Sequence, residues 1–234
     1  MKLTLAEPKY LKDTISIISE LVPEATLKVK NDGLHLTAMD QGNIAMVIFF
    51  LSKDVFLDFE IEKEVDLFIE LSMLKQVLKR SKANEIISLE LQENKLKITM
   101  QSNNKKTFFI PLLNDTNNTH KELNLEFKTT IKTKSEYLQD AIEDTSIIGE
   151  AVAFILENKK VFKLTARNEL SKVEVTIPDD ENTIITCTDE KDLVKTKYSL
   201  DYLKKMITGS RISDTVTISF QEEFPLKMEF VEEN

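Results

Sequence analysis

The sequence predicts an α+β chain made of two copies of one strand-rich domain, each copy carrying two helices on one face of its sheets. Three observations predict it. Short segments of the first half return in order in the second. "YLKDTI" from Tyr10 returns as "YLQDAI" from Tyr137, "LTAMD" from Leu36 as "LTARN" from Leu164, "LKQVL" from Leu74 as "LKKMI" from Leu203, and "LKITM" from Leu96 as "LKMEF" from Leu226. The offsets run from 127 to 130 residues, too long a period for a solenoid and right for a duplicated domain. Most segments alternate apolar and polar residues, the period of a half-buried strand. Four others repeat apolar residues every three or four positions, the period of a helix packed on a core.

The elements follow in order. "KLTLA" reads as a strand, then a helix follows Pro8 with Leu11, Ile15, Ile18 and Val22 on one face. "ATLKVK" and "LHLTAM" are strands joined by "NDG", a tight-turn signal because Asn and Gly tolerate positive φ. "IAMVIFF", "FLDFEI" and "VDLFIEL" are further strands, and a second helix spans about Ser72 to Ser81 with Leu74, Val77 and Leu78 inward. "IISLEL", "KLKITM" and "TFFIPL" complete the first half. In the second half "TTIKT" leads into a helix from Ser135 to Ser146. "AVAFILE", "VFKLTAR", "KVEVTI", "TIITCT" and "LVKTKYSL" follow, then a fourth helix from about Leu200 to Thr208, then "TVTISF" and "PLKMEF". The polar stretch between the halves reads as a linker. The expected organisation is a first domain over 1–113, a connector over 114–126 and a second domain over 127–234. The last strand of the first half has no expected counterpart after "LKMEF", so a neighbouring strand is expected to keep unpaired backbone groups.

Composition narrows the function classes. Hydrophobic residues make up 41% of the 234, enough for real cores, and no apolar run approaches the length of a membrane span. The N-terminus lacks the long apolar region of a signal peptide. The single cysteine, Cys187, cannot form an internal disulfide, which fits a reducing cytoplasm, or a nucleus in a eukaryote. Asn114 and Asn117 begin N-x-Thr patterns, which without secretion are polar loop residues. Glycine-rich phosphate loops and nucleophile elbows are missing. His35 and His120 are the only histidines and make no zinc set with Cys187. No metal, no cofactor and no enzymatic activity are expected. Asp140, Glu143 and Asp144 lie on the polar side of one helix. They leave a metal-dependent nuclease as an alternative, against the commoner case of a solvated face.

The net charge of −9 argues against a surface coated for nucleic acid, yet the cations are segregated. Lys9 and Lys12 lie on the first helix, Lys75, Lys79, Arg80 and Lys82 on or just past the second, and Lys204, Lys205 and Arg211 on or after the fourth. Lysine is common on exposed helix faces. Three helices of an acidic chain sharing the pattern suggest a surface held for phosphates.

With "LTAMDQGNIAMV" from Leu36, "LQDAIEDTSIIGEAVAF" from Leu138 and "DTVTISFQEEFPLKMEF" from Asp214, the chain resembles the sliding clamps of the proliferating cell nuclear antigen (PCNA) family, archaeal and eukaryotic type. The resemblance runs through nearly the whole chain in order. It implies a ring of three chains, identical or related, closed head-to-tail around duplex DNA. The ring tethers DNA polymerase and other replication and repair enzymes, with clamp loader, flap endonuclease and DNA ligase as further partners through short peptides. It places DNA-facing lysines at Lys12 and Lys79, with Lys75, Arg80, Lys82, Lys204, Lys205 and Arg211 beside them by their charge. Acidic Asp140, Glu143 and Asp144 depart from the family, which tends to place basic residues on that helix. The implied partner pocket comprises Met39, Ile44, Met46, Leu123, Leu125, Phe127 and Pro225. It takes a peptide carrying a Gln, an aliphatic residue and two aromatics. Ordinary core is the competing reading for Ile44 and Met46. The implied subunit contact pairs Lys106, Phe108 and Ile110 with Lys172, Glu174 and Thr176. A checkpoint-type clamp subunit shares the fold and is the second alternative.

Overall fold

Alternating Leu, Ile and Val residues become strands because each strand can bury one face, and most strands bury every second side chain. The computed structural model describes residues 1–114 and 123–232. His120 and the Asn117 pattern therefore lie outside the described residues. Two compact units are formed, Met1–Leu123 and Asn124–Asn234.

In the first unit the order is β1 (Lys2–Leu5), α1 (Pro8–Ile18), β2 (Glu24–Lys30), β3 (Gly33–Met39), β4 (Met46–Ser52), β5 (Asp58–Glu60), β6 (Val65–Glu70), α2 (Leu71–Leu78), β7 (Ile86–Gln92), β8 (Lys95–Gln101) and β9 (Lys105–Pro111). The strands form two antiparallel sheets, β5-β1-β7-β8-β9 and β4-β3-β2-β6. Pro8 suits the first turn of α1, where its missing N–H is not needed. α1 and α2 pack on one another and bury Leu11, Ile15, Ile18, Leu74 and Leu78 against Leu27, Leu36, Ile69 and Ile98 of the sheets.

The second unit contains β10 (Thr129–Lys134), α3 (Ser135–Ser146), β11 (Ala151–Glu157), β12 (Val161–Arg167), β13 (Lys172–Thr176), β14 (Ile184–Cys187), β15 (Leu193–Ser199), α4 (Leu200–Met206), β16 (Thr215–Phe220) and β17 (Lys227–Glu229). Its sheets are β14-β10-β16-β17 and β13-β12-β11-β15. Each strand order repeats that of the first unit, element for element, except that β9 has no counterpart among the described residues. Phe154, Phe162 and Phe220 pack edge-on or tilted at the centre, with centroids 5.6 to 5.9 Å apart, a favourable aromatic geometry.

Some expectations need correction. The second helix starts one residue early and ends at Leu78, three short of Ser81, where the chain turns to bring Glu85 inward. The fourth helix tightens after Met206 into a 3-10 turn, Ile207–Arg211. That turn passes so close to Phe230 that a Cβ on Gly209 would sit 2.4 Å from its ring. "FLDFEI" yields only the three residues of β5. In the "NDG" turn the positive φ, 153°, belongs to Gly33 and not to Asn31. A side chain at Gly33 would meet the Leu51 carbonyl oxygen at 2.2 Å.

Candidate functional site

The cations divide into two groups. Lys79, Arg80 and Lys82 are exposed at and beyond the C-terminus of α2, and Lys204, Lys205 and Arg211 are exposed at the end of α4 and its 3-10 turn. Lys12 is half-buried on α1. Cations in a last helical turn also offset the helix dipole, so these residues contribute to folding whatever else they bind. Lys205 lies 5.8 Å from the Tyr202 ring centroid. Lys75 differs from the rest, because its ammonium donates to the carboxylate of Glu20. On α3, Asp140, Glu143 and Asp144 are exposed, and Glu143 accepts from Gln139 at 3.0 Å. Among the described residues no group of three or more His, Cys, Asp or Glu is arranged to hold a metal ion, which leaves the nuclease alternative without geometric support.

In the first unit an apolar patch forms around the loop from Asp40 to Ala45. Asp40 is buried, and its Oδ1 accepts from the backbone N–H of Ile44 and of Ala45, both at 2.7 Å. Its Oδ2 accepts from Gly42 at 3.2 Å, and Asn43 takes φ 53°. This folding turns Ile44 outward at 70% exposure, which removes the core reading for it. Met39 and Met46, both half-buried, are directly opposite on β3 and β4. Ile48 and Phe50 continue the outward face of β4, at 47% and 52% exposure, while Val47, Phe49 and Leu51 pack inward. Sequence reasoning missed Ile48 and Phe50 because "IAMVIFF" is apolar on both faces. His35 stacks tilted on Phe50 at 4.8 Å, and its Nε2 lies 2.8 Å from Asp32 Oδ1. That hydrogen bond holds the Asp32 carboxyl below its ordinary value. A cavity of about 340 Å³ opens beside the patch, lined by Pro23, Ala25, Thr37, Met39, Asp40 and Phe68.

Leu123 ends the first unit and is exposed. In the second unit Leu125 and Phe127 are half-buried and Pro225 is exposed. Phe127 meets Phe224 edge-on at 5.4 Å, and the Phe224 carbonyl accepts from Tyr198 Oη at 3.2 Å. The loop corresponding to Asp40–Ala45 follows β12. There Asn168 Oδ1 accepts from the backbone N–H of Leu170 at 2.9 Å and of Ser171 at 2.7 Å.

Both strands singled out for subunit contact end their sheets. β9 and β13 each pair on one side only among the described residues. On β9 the side chains of Phe108 and Ile110 pack inward, while Thr107 and Phe109 point out, Phe109 at 55% exposure. Lys106 also turns inward: its ammonium donates to Glu85 Oε2 at 2.9 Å and to the Arg80 carbonyl at 3.0 Å, and forms an ion pair with Glu85 Oε1 at 2.7 Å. On β13, Lys172, Glu174 and Thr176 are exposed. Lys172 donates to Glu174 at 2.9 Å, and with Lys163 it keeps the Glu174 carboxyl below its ordinary value. Among the described residues no helix is long and apolar enough to cross a membrane.

Known proteins share this fold. Residues 1–137 match the family model "Proliferating cell nuclear antigen, N-terminal domain", and residues 122–234 match that of the C-terminal domain. The "DNA polymerase sliding clamp" of Nanoarchaeum equitans is 29% identical over 98% of this chain and 93% of its own length. The protein of the same name from Thermococcus fumicolans is 30% identical, over 95% and 89%. A crystal structure of PCNA from Thermococcus kodakaraensis superposes with a TM-score of 0.89 over 99% of this chain and 94% of that one. At 18% identity the likeness speaks to the fold. With a family model matching more than half its length and a relative at 30% identity along nearly all of it, the chain belongs to the proliferating cell nuclear antigen family.

Proposed function

We propose that the chain is a DNA sliding clamp, a processivity factor that encircles duplex DNA as a ring and tethers DNA polymerase. The observation that carries the reading is the clustering of exposed Lys79, Arg80 and Lys82 at the end of α2 and of Lys204, Lys205 and Arg211 at the end of α4, in a chain of net charge −9. A clamp must stay on DNA yet slide, so it needs phosphate contacts that exchange readily and read no base. Exposed lysines at helix ends supply such contacts. The open edges β9 and β13 suit head-to-tail pairing of three chains, since heterologous contacts close into a ring when the rotation fits. The mechanism is topological and calls for no chemical step, so the chain acts as a binding protein and not as an enzyme.

Partner enzymes, among them clamp loader, flap endonuclease and DNA ligase, dock by short peptides on the apolar patch of Met39, Ile44 and Met46. An apolar anchor entering a patch beside a strand is a common recognition mode. Leu123, Leu125, Phe127 and Pro225 stand at the other positions the family assigns to that task.

The test pairs size with retention. Light scattering should give three times the chain mass of 26.9 kDa. Retention on closed circular duplex should exceed that on linear duplex with free ends. Replacing Lys12, Lys79, Lys204 and Lys205 by Ala should weaken retention and flatten its salt dependence, because each lost phosphate contact releases fewer counterions. A monomer with equal retention on both DNA forms, or an unchanged salt slope in the variant, would reject the reading.

A further inference from the structure

Glu85 is the one carboxylate among the described residues that is almost fully buried, at 1% exposure. Its position is unusual. It closes the loop that leaves α2, and that loop carries the cations Arg80 and Lys82. Its Oε2 accepts from the Lys82 backbone N–H at 3.0 Å, and the Glu85 N–H donates back to the Lys82 carbonyl at 3.1 Å. The Lys106 ammonium, arriving from β9, donates to Glu85 Oε2 and to the Arg80 carbonyl, and it lies at ion-pair distance from Oε1. Two of the ammonium's three donors are thereby used within the chain. One buried ion pair therefore ties both ends of the cationic loop to the edge strand, while the Arg80 and Lys82 side chains stay exposed.

Stability alone is a poor reason for such a pair, because a packed apolar replacement is often as stable; fixing one arrangement is the better-attested use. We propose that Glu85 is a positioning residue for DNA. It acts through Lys106 and the Lys82 backbone to hold Arg80 and Lys82 where phosphates pass. The proposal rests on the sliding-clamp reading.

Its sign makes it testable. By charge alone, removing a carboxylate from beneath a basic loop raises the local positive potential and strengthens DNA retention. By positioning, removal lets the loop wander and weakens retention. The experiment measures retention of the 234-residue chain on closed circular duplex between about 50 and 200 mM salt. Across that fourfold range each phosphate contact is worth about 3.5-fold, so losing Arg80 and Lys82 flattens the curve by at least about twelvefold. Glu85→Ala should show that flattening. Glu85→Gln, which keeps the size and an acceptor oxygen, should stay close to the parent. Retention in Glu85→Ala equal to or above the parent overturns the proposal, and so does a rise in Glu85→Gln. The Gln variant decides alone if the Ala variant does not fold. A Lys79→Ala, Lys82→Ala variant run alongside separates the two ideas: if it binds like the parent, the clamp reading fails. Hydrogen exchange at residues 81–85 reports the latch without DNA, and unchanged protection in Glu85→Ala also overturns it.

Discussion

On the peptide-docking proposal, Asp40→Ala should weaken binding of the peptide by loosening the loop while leaving the apolar surface intact. The carboxylate holds the loop through two bonds at 2.7 Å and a weaker one at 3.2 Å. A hydrogen bond to a charged acceptor contributes about 1.5 to 3 kcal/mol. Residues 41–44 are exposed, so the released N–H groups can reach water, and the bonds share one acceptor and do not add. The total loss is then about 1.5 to 3 kcal/mol of loop order, which binding must supply again. That predicts a fall of about 10- to 100-fold in affinity for a peptide carrying the family's Gln, aliphatic and paired aromatic residues. Asp40→Asn is the informative control. Both short bonds use a single oxygen, Oδ1, and an amide oxygen can replace it. In the second unit Asn168 already does the same task for Leu170 and Ser171. The Asn variant should therefore lose less than about threefold. Calorimetry with one peptide and three proteins decides. Parent-like affinity in Asp40→Ala, or equal damage from Asn and Ala, would refute the reasoning.

Two other outcomes are expected. β4 pairs only with β3 among the described residues, so every second backbone amide between Ala45 and Phe50 should exchange fast; uniformly slow exchange there would mean that another strand covers the edge. Glu85 should make stability depend on pH, because the Lys106 hydrogen bond holds its carboxyl below the ordinary value of 4.5. As pH falls the unfolded chain takes up the proton first, so the contribution is full above about 4.5 and fades below it, through the lowered folded value. In urea unfolding, the stability gap between the parent and Glu85→Gln should narrow over that acid range, and a constant gap would contradict the assignment.

Nearly all of the fold was legible in the sequence, because its signals are local. Alternation marks most of the strands, though not β4 or β11, whose residues are apolar on both faces, and the segment repeat anticipates that β14-β10-β16-β17 mirrors β5-β1-β7-β8. The site was legible only where it depends on residue type, as with the cations of α2 and α4. What stayed hidden depends on distant partners. Lys106 looks like an outward edge residue until Glu85, far back along the chain, is seen to bury its charge. Phe108 and Phe109 are identical as letters, and only the register of β8 with β9 settles which one faces out. Asp40 carries no sign of its capping role, which arises from the left-handed turn at Asn43.

The division among the cations bears on sliding itself. Lys75, Lys97, Lys106 and Lys163 are paired with Glu20, Glu90, Glu85 and Glu157, and each of these lysines is largely sheltered from solvent. Such pairs fix geometry and spend their charge inside the chain. Lys79, Lys82, Lys204 and Lys205 are instead exposed on flexible four-carbon stems, with the head group in water. A guanidinium fork would favour bidentate, long-lived phosphate contacts, whereas an ammonium is a point charge that passes from one phosphate to the next. On the sliding-clamp reading, lysine at these four places, beside Arg80 and Arg211, favours short-lived phosphate contacts. Changing all four to Arg keeps the charge and should raise retention while slowing one-dimensional diffusion along the duplex. Single-molecule tracking of labelled rings measures both. Faster or unchanged diffusion alongside tighter retention would show that contact lifetime does not govern the movement.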